Sequence, residues 1–195
     1  MPDVPPRVRP AVPADGAACA AIYAPYVTGS AASFELVPPD GAEMADRIAR
    51  TIERTPWVVV ETGGAVRAYA YATRHRDRPA YDWTVETTVY VDQRWARRGL
   101  GRLAMTSLLA ILRLQGAHLA VAGITLPNPG SVGLHRALGF ARIGRYPAIG
   151  FKDGRWHDVE WYGLELGARE AGPNPLVPLR ALAGTAELER ALRGE

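Results

Sequence analysis

Glu86 is the side chain around which chemistry can be built. It is the only acidic residue in Val85-Glu86-Thr87-Thr88-Val89-Tyr90-Val91, a β-branched run that predicts a strand. Asp92-Gln93-Arg94-Trp95-Ala96-Arg97-Arg98-Gly99-Leu100-Gly101 follows, and then an amphipathic helix from about Leu100 to Gln115. A glycine-containing turn at a helix start offers consecutive backbone N–H groups, which hold a pyrophosphate without dedicated side chains. Such a cradle beside a possible base suggests group transfer from a nucleotide-like cofactor. Two plainer readings stand beside it. The turn could be a simple strand-to-helix connection with solvated arginines, and Glu86 could be half of a cross-strand pair.

Arg76, Arg78 and Tyr81 precede Glu86 by ten, eight and five residues. Guanidinium groups suit two-point recognition of oxyanions, and Tyr81 could add a hydroxyl. The same arginines could also be a solvated loop. His135 lies seven residues after Asn128, on a short helix. An imidazole can give or take a proton near neutral pH, although a helix histidine can equally be held by a carbonyl. His75, His118 and His157 lack comparable support, and no His/Asp/Glu spacing suggests a metal site. Cys19, the only cysteine, has small apolar neighbours that suit a buried thiol rather than a nucleophile.

The elements that must carry these groups read in order. Val8–Ala11 is a short edge strand, and a helix starts at Pro13-Ala14-Asp15 with Cys19, Ile22, Tyr23 and Tyr26 on one face. Val27 to Val37 is a loop containing Phe34, and Gly41 to Arg54 a second helix. Trp57–Glu61, the turn Gly63-Gly64 and Ala65–Thr73 form a hairpin, with Thr84–Val91 as the third strand of a meander. After the long helix, Leu119–Thr125 is a buried-type strand, Ser131–Leu138 a short helix, and Ala141–Tyr146 and Val159–Leu166 closing strands. A turn-rich Gly150–Gly154 segment lies between those last two. The result is one α/β domain of the α+β kind, a mostly antiparallel mixed sheet flanked by helices. Residues 1–7 read as a flexible tail, 8–166 as the domain, and 167–195 as a linker with a short helix that packs on the surface or frays.

Bulk properties narrow the classes. The 195 residues are 48% hydrophobic and 22% charged, ordinary for one globular domain. No apolar run has the length of a membrane span. The single cysteine makes a reducing, cytoplasmic setting the default. A net charge of +3, with Arg74–Arg78 and Arg94–Arg102 as the denser basic groups, suits a small anionic ligand better than a duplex. Aromatic residues are not interleaved with those groups as a nucleic-acid stacking platform requires.

Several motifs in order and at matching spacing carry a resemblance. They are Ala80-Tyr81-Asp82-Trp83-Thr84-Val85-Glu86-Thr87-Thr88-Val89-Tyr90-Val91, Arg98-Gly99-Leu100-Gly101 and Leu126-Pro127-Asn128-Pro129-Gly130-Ser131-Val132. His135-Arg136-Ala137-Leu138-Gly139-Phe140 and Gly150-Phe151-Lys152-Asp153-Gly154-Arg155-Trp156-His157-Asp158-Val159 complete the set. From about Val8 to Leu166 the chain resembles the GNAT superfamily, and within it the phosphinothricin N-acetyltransferase group. The resemblance implies the GNAT acyltransferase fold, acetyl-CoA as donor, a small amino acid such as phosphinothricin or methionine sulfoximine as acceptor, and a homodimer. It makes Glu86 the general base and His135 the acid for the departing thiolate. Val89, Tyr90 and Val91 would offer main-chain groups to the pantetheine arm and thioester oxygen. Ala96, Arg97, Arg98, Gly99, Leu100 and Gly101 would hold the pyrophosphate, with Asn128 and Ser131 also on the cofactor. Arg76, Arg78 and Tyr81 would grip the acceptor, and Phe34 would wall its pocket. One departure stands out: the family usually has Gln or Arg where Ala96 stands, so only backbone donation is left there.

Two rivals share these residues. A GNAT that acetylates a peptide N-terminus or a polyamine would want an acidic cleft, which the Arg76/Arg78 loop opposes. A CoA-binding sensor without turnover is opposed by the presence of both Glu86 and His135.

Overall fold

The computed structural model describes residues 5–195. The flexible tail expected over 1–7 therefore lies largely outside the described residues, and Arg7 already belongs to the first strand. The elements are β1 (Arg7–Pro10), α1 (Gly16–Thr28), α2 (Gly41–Ile52), β2 (Trp57–Thr62), β3 (Ala65–Arg74), β4 (Thr84–Val91), α3 (Leu100–Gln115), β5 (Leu119–Thr125), α4 (Pro129–Ala137), β6 (Ala141–Lys152), β7 (Arg155–Glu165), α5 (Leu179–Leu182) and α6 (Ala186–Arg193).

The seven strands make one sheet in the order β1-β2-β3-β4-β5-β7-β6. Every neighbouring pair is antiparallel except β4–β5, which α3 connects as a crossover. Period-2 alternation sorts the two faces. Ala68, Ala70 and Ala72 of β3 and Val58 and Val60 of β2 lie under α3, where Ala104, Met105, Leu108, Ile111 and Leu112 are buried. Their small side chains let the helix sit close to the sheet. Trp57, Val59 and Tyr69 face the other way, onto Cys19, Ile22 and Tyr23 of α1 and Met44 and Ile48 of α2. Asp40 caps α2 by accepting from Glu43 N–H at 2.9 Å, and Gly116 closes α3 at φ +83°.

Three expectations change. The turn-rich Gly150–Gly154 segment is mostly strand: β6 and β7 form one long hairpin whose turn is only Asp153-Gly154. Those residues take φ +51° and +74°, the left-handed pair that a two-residue hairpin turn demands, so Gly150 and Phe151 pair with His157 and Trp156. The C-terminal segment is not an appendage. Leu179, Leu188 and Ala191 are buried in the same core as α3. Gln115, fully buried, donates to Val177 O at 2.8 Å and to Arg54 O at 2.9 Å, and Ser107 Oγ donates to Leu192 O at 3.3 Å. α4 starts at Pro129 rather than Ser131, because Asn128 caps it and proline is preorganised for the first helical position.

Candidate active site

The site begins where two strands part. β4 and β5 pair only through Thr84↔Leu119, Val85↔Ala120 and Glu86↔Val121, while β5 stays paired with β7 along its whole length. From Thr87 onward β4 therefore diverges from β5. Thr87 Oγ1 reaches Val121 O at 3.2 Å, just beyond the last ladder pair. Below that point opens a cavity of about 900 Å³, lined by Glu86 and by β4 through Val91. The far end of β4 is fixed by Tyr26, whose hydroxyl donates to Val91 O at 2.7 Å, and by the packing of Tyr90 on Tyr23 and Tyr26.

The cradle lies at one end of this cavity. Gly99 stands at φ +81° before α3, and Leu103 N–H is the first to reach back, to Gly99 O at 2.9 Å. The N–H groups of Leu100, Gly101 and Arg102 thus have no carbonyl partner within the helix and are free for an anion. A Cβ on Gly101 would stand 3.2 Å from Val91 Cγ2, so a larger residue would crowd the helix start against β4 and Val91 would have to give. Arg97, at φ +60°, holds a left-handed conformation uncommon for a side-chain-bearing residue. Ala96 N–H is already bound to Gln93 O at 3.3 Å, which removes the backbone donation expected of it. Arg98 does not line the cavity; its guanidinium stacks on Trp95 at 4.7 Å.

His135 closes the cofactor end. It is buried, its ring edge-on to Phe140, and its Nδ1 lies 2.8 Å from Ser131 O. A carbonyl only accepts, so Nδ1 carries the hydrogen and the neutral ring presents Nε2 as an acceptor. Nε2 is buried without a protein partner. Burial pushes the His135 pKa below the usual imidazole value, against a smaller upward effect of the Ser131 hydrogen bond. The neutral ring is thus an acceptor, and donating a proton requires it to gain one first. Asn128 lines the cavity too, its side-chain oxygen accepting from Ser131 N–H at 3.1 Å while its NH2 is not used by that cap.

A stability prediction follows from His135. Below its ordinary value of 6.5 the unfolded chain binds a proton on this imidazole that the folded chain resists. The unfolded state then holds more protons, and stability falls as pH drops from about 7.5 to about 5.5. In His135→Gln, thermal midpoints over that interval should decline less steeply than in the parent; equal slopes would remove the buried neutral imidazole as the cause.

At the opposite end stand Phe34, Arg76, Glu86, Tyr146, Val159 and Trp161. Arg78 and Tyr81 are not brought into the lining. Arg78 precedes the 3-10 turn Pro79–Tyr81, both residues are exposed on the rim, and Tyr81 meets the site only through the His75 ring, 6.1 Å away. His75, set aside from sequence, stands beside the central carboxylate: Nδ1 is 3.5 Å from Glu86 Oε2 without forming a hydrogen bond, and its ring is edge-on to Trp161. Trp161 is also new. A Cβ on Gly123, its strand partner, would be 3.3 Å from the indole, so the glycine makes the room the ring occupies. A glycine inside the strand Val121-Ala122-Gly123-Ile124 was the one sequence signal for it.

The remaining candidates drop away. Burial pushes the Cys19 thiol up to about 12, so it is no nucleophile. Among the described residues no group of three or more His, Cys, Asp or Glu side chains could hold a metal ion.

Comparison with known proteins identifies the family. The profile of the Acetyltransferase (GNAT) family matches residues 27–140. The chain is 42% identical over 175 residues to a phosphinothricin N-acetyltransferase of Streptomyces viridochromogenes, covering 90% of this chain and 95% of that protein. It is 36% identical over 161 residues to an L-methionine sulfoximine/L-methionine sulfone acetyltransferase of Salmonella typhimurium, covering 82% and 94%. Among solved structures, a GNAT superfamily phosphinothricin acetyltransferase from Sinorhizobium meliloti in complex with acetyl-CoA superposes with a TM-score of 0.81 at 36% identity, over 90% of this chain and 94% of that one. With the profile spanning the Phe34 segment, the parted strands, the cradle and α4, and with relatives matched over nearly their full length, this chain belongs to the GNAT family of acetyltransferases.

Proposed function

We propose that the protein transfers an acetyl group from acetyl-CoA to the α-amino group of a small anionic amino acid of the phosphinothricin or methionine sulfoximine type. One observation carries this reading: the Glu86 carboxylate sits where β4 and β5 part, in one cavity with the α3 cradle at one end and Arg76 at the other. The fit to acetyl-CoA rests on the free N–H groups of the α3 start, the close approach that Gly101 allows, and the unpartnered Nε2 of His135. When bound, acetyl-CoA supplies an acetyl group activated as a thioester.

The chain's own residues do the rest. An ammonium nitrogen has no lone pair, so the acceptor must lose a proton before it can attack. Glu86 takes that proton through a water, with the His75 ring beside its carboxylate. Main-chain N–H groups of Val89–Val91 orient the thioester oxygen. Leu100, Gly101 and Arg102 hold the pyrophosphate with their backbone and Arg97 adds positive charge, while Asn128 and Ser131 border the pantetheine path. His135, neutral with Nε2 unpartnered, would take the proton that the attacking nitrogen sheds and return it at the thiol end, so that CoA would leave as the thiol. Arg76 draws the acceptor's carboxylate or phosphinate, and Phe34 and Trp161 shape its side-chain room. Arg78 and Tyr81 add long-range charge and rim contact.

The protein works as a homodimer in this reading. The support is an apolar surface on the edge hairpin, where Ile143, Ile149, Phe151 and Trp156 are all more than half exposed. No described helix is long and apolar enough to cross a membrane. The buried Cys19, free of any disulfide, suits a reducing cytoplasm.

Thiol release from acetyl-CoA, measured against amino acids, phosphinothricin, methionine sulfoximine, polyamines and peptides, tests the function. Turnover should be concentrated on phosphinothricin and methionine sulfoximine. Selective turnover of polyamines or peptides would replace the acceptor, and release with none of them would leave a CoA-binding sensor. Arg76→Ala should raise the acceptor KM about tenfold, as loss of a charge-assisted contact does, with the acetyl-CoA KM little changed. Equal effects on both would place Arg76 elsewhere.

A further inference from the structure

We propose that Lys152, the only lysine of the chain, is a positioning residue for the acceptor: its buried ammonium fastens the segment after α1 to the β6–β7 hairpin and thereby fixes Phe34 as a wall of the pocket. The inference rests on the acceptor lying at the Glu86–Phe34 end of the cavity.

Lys152 ends β6 and is 5% exposed. Its Nζ donates to Val27 O at 2.5 Å, Ser33 O at 2.8 Å and Glu35 O at 2.9 Å. Three donors meet three carbonyls, so the ammonium is saturated and offers no lone pair for chemistry. None of the three partners is a carboxylate. Glu35 Oε1 instead accepts from Arg47 at 2.7 Å and from Tyr23 at 3.0 Å. An ammonium hydrogen-bonded only to neutral carbonyls, with the Glu35 carboxylate a coulombic neighbour and not a bonded partner, recovers little beyond its own desolvation cost and is a weak device for net stability. What it does supply is a tie from the last turn of α1, at Val27, to two fixed points, Ser33 and Glu35, on a stretch with no helix or strand of its own.

Those points bracket Phe34. Ser33 and Glu35, its two neighbours, both give their carbonyls to Lys152, and Ser33 Oγ is also bound to Tyr23 at 2.6 Å. The ring lies against Gly150, two residues before Lys152, where a Cβ would overlap it. Across the hairpin from Gly150, the His157 ring centroid is 6.1 Å from that of Phe34, and His157 Nε2 meets Lys152 O at 3.1 Å. Hairpin tip and segment thus form one unit, and the unit places an aromatic ring in the cavity that Glu86 lines.

Lys152→Met tests it, alone and combined with Phe34→Ala, by steady-state kinetics and by amide hydrogen exchange over residues 29–36. The acceptor KM should rise about tenfold to a hundredfold, the scale on which a misplaced binding wall acts, while the acetyl-CoA KM stays near the parent value. Exchange should quicken in 29–36 but not in α3. In the Phe34→Ala background the lysine substitution should add almost nothing, because both changes remove the same wall. An acceptor KM within about twofold of the parent, or additive effects of the two changes, overturns the proposal. If Lys152→Met does not fold, Lys152→Gln, which keeps N–H donors, takes its place with the same criteria. If the parent acetylates none of the amino acids, the proposed function falls, and exchange alone decides the clamp: unaltered protection in 29–36 refutes it.

Discussion

Glu86→Gln should lower kcat at saturating acetyl-CoA by about 10²- to 10⁴-fold, the usual range for removing a general base. The substitution keeps the size of the side chain and one oxygen near His75, and Glu86 is half-buried in a preformed strand position, so folding and the acetyl-CoA KM should hold. The residual rate carries a second signature. Without a protein base, the reaction depends on acceptor already deprotonated in solution, so the variant's rate should keep climbing with pH towards the amine's own pKa. Near-parental turnover at neutral pH would sink the assignment. So would a residual rate that does not respond to pH.

Ending the chain after Leu166 should abolish cooperative folding or lower the thermal midpoint severely. Leu188→Ala alone should destabilise by about 2–5 kcal/mol, as deletion of a buried leucine side chain does. That is a large share of the ~5–15 kcal/mol that holds a domain of this size folded. Leu179, Leu188 and Ala191 are buried on the α3 side of the core, and the Gln115 amide depends on Val177 O for one of its bonds. Truncation would leave that amide and the outer face of α3 in water. Denaturant titration of the truncated and substituted chains checks this; midpoints equal to the parent's would return residues 167–195 to the status of a tail.

That boundary shows how sequence and structure divide the work. A short helix within 167–195 was legible, and it is α6 (Ala186–Arg193), capped by Thr185 accepting from Leu188 N–H and buried through Leu188 and Ala191. Whether its apolar stripe met the core was not legible. The same stripe serves a frayed end or a packed one, and only the α3 face decides between them.

Local rules determined a great deal of this protein. Period-2 and period-3.6 patterns, caps and Gly/Pro punctuation gave the element order, the β2–β3–β4 meander and the strand-turn-helix carrying Glu86 and the cradle, because each rests on residues close in the chain. The motif series added the GNAT family. Tertiary structure alone decided what depends on pairing register and on chains meeting from afar. It set the point at Glu86↔Val121 where β4 leaves β5, and brought His75 to the carboxylate and Trp161 against His75. It turned Arg78 and Tyr81 to the rim, and directed Lys152 Nζ to carbonyls more than a hundred residues away. The reason is physical: side-chain period and turn chemistry are local, whereas a strand's partner and a buried cation's acceptors are chosen only when the core closes.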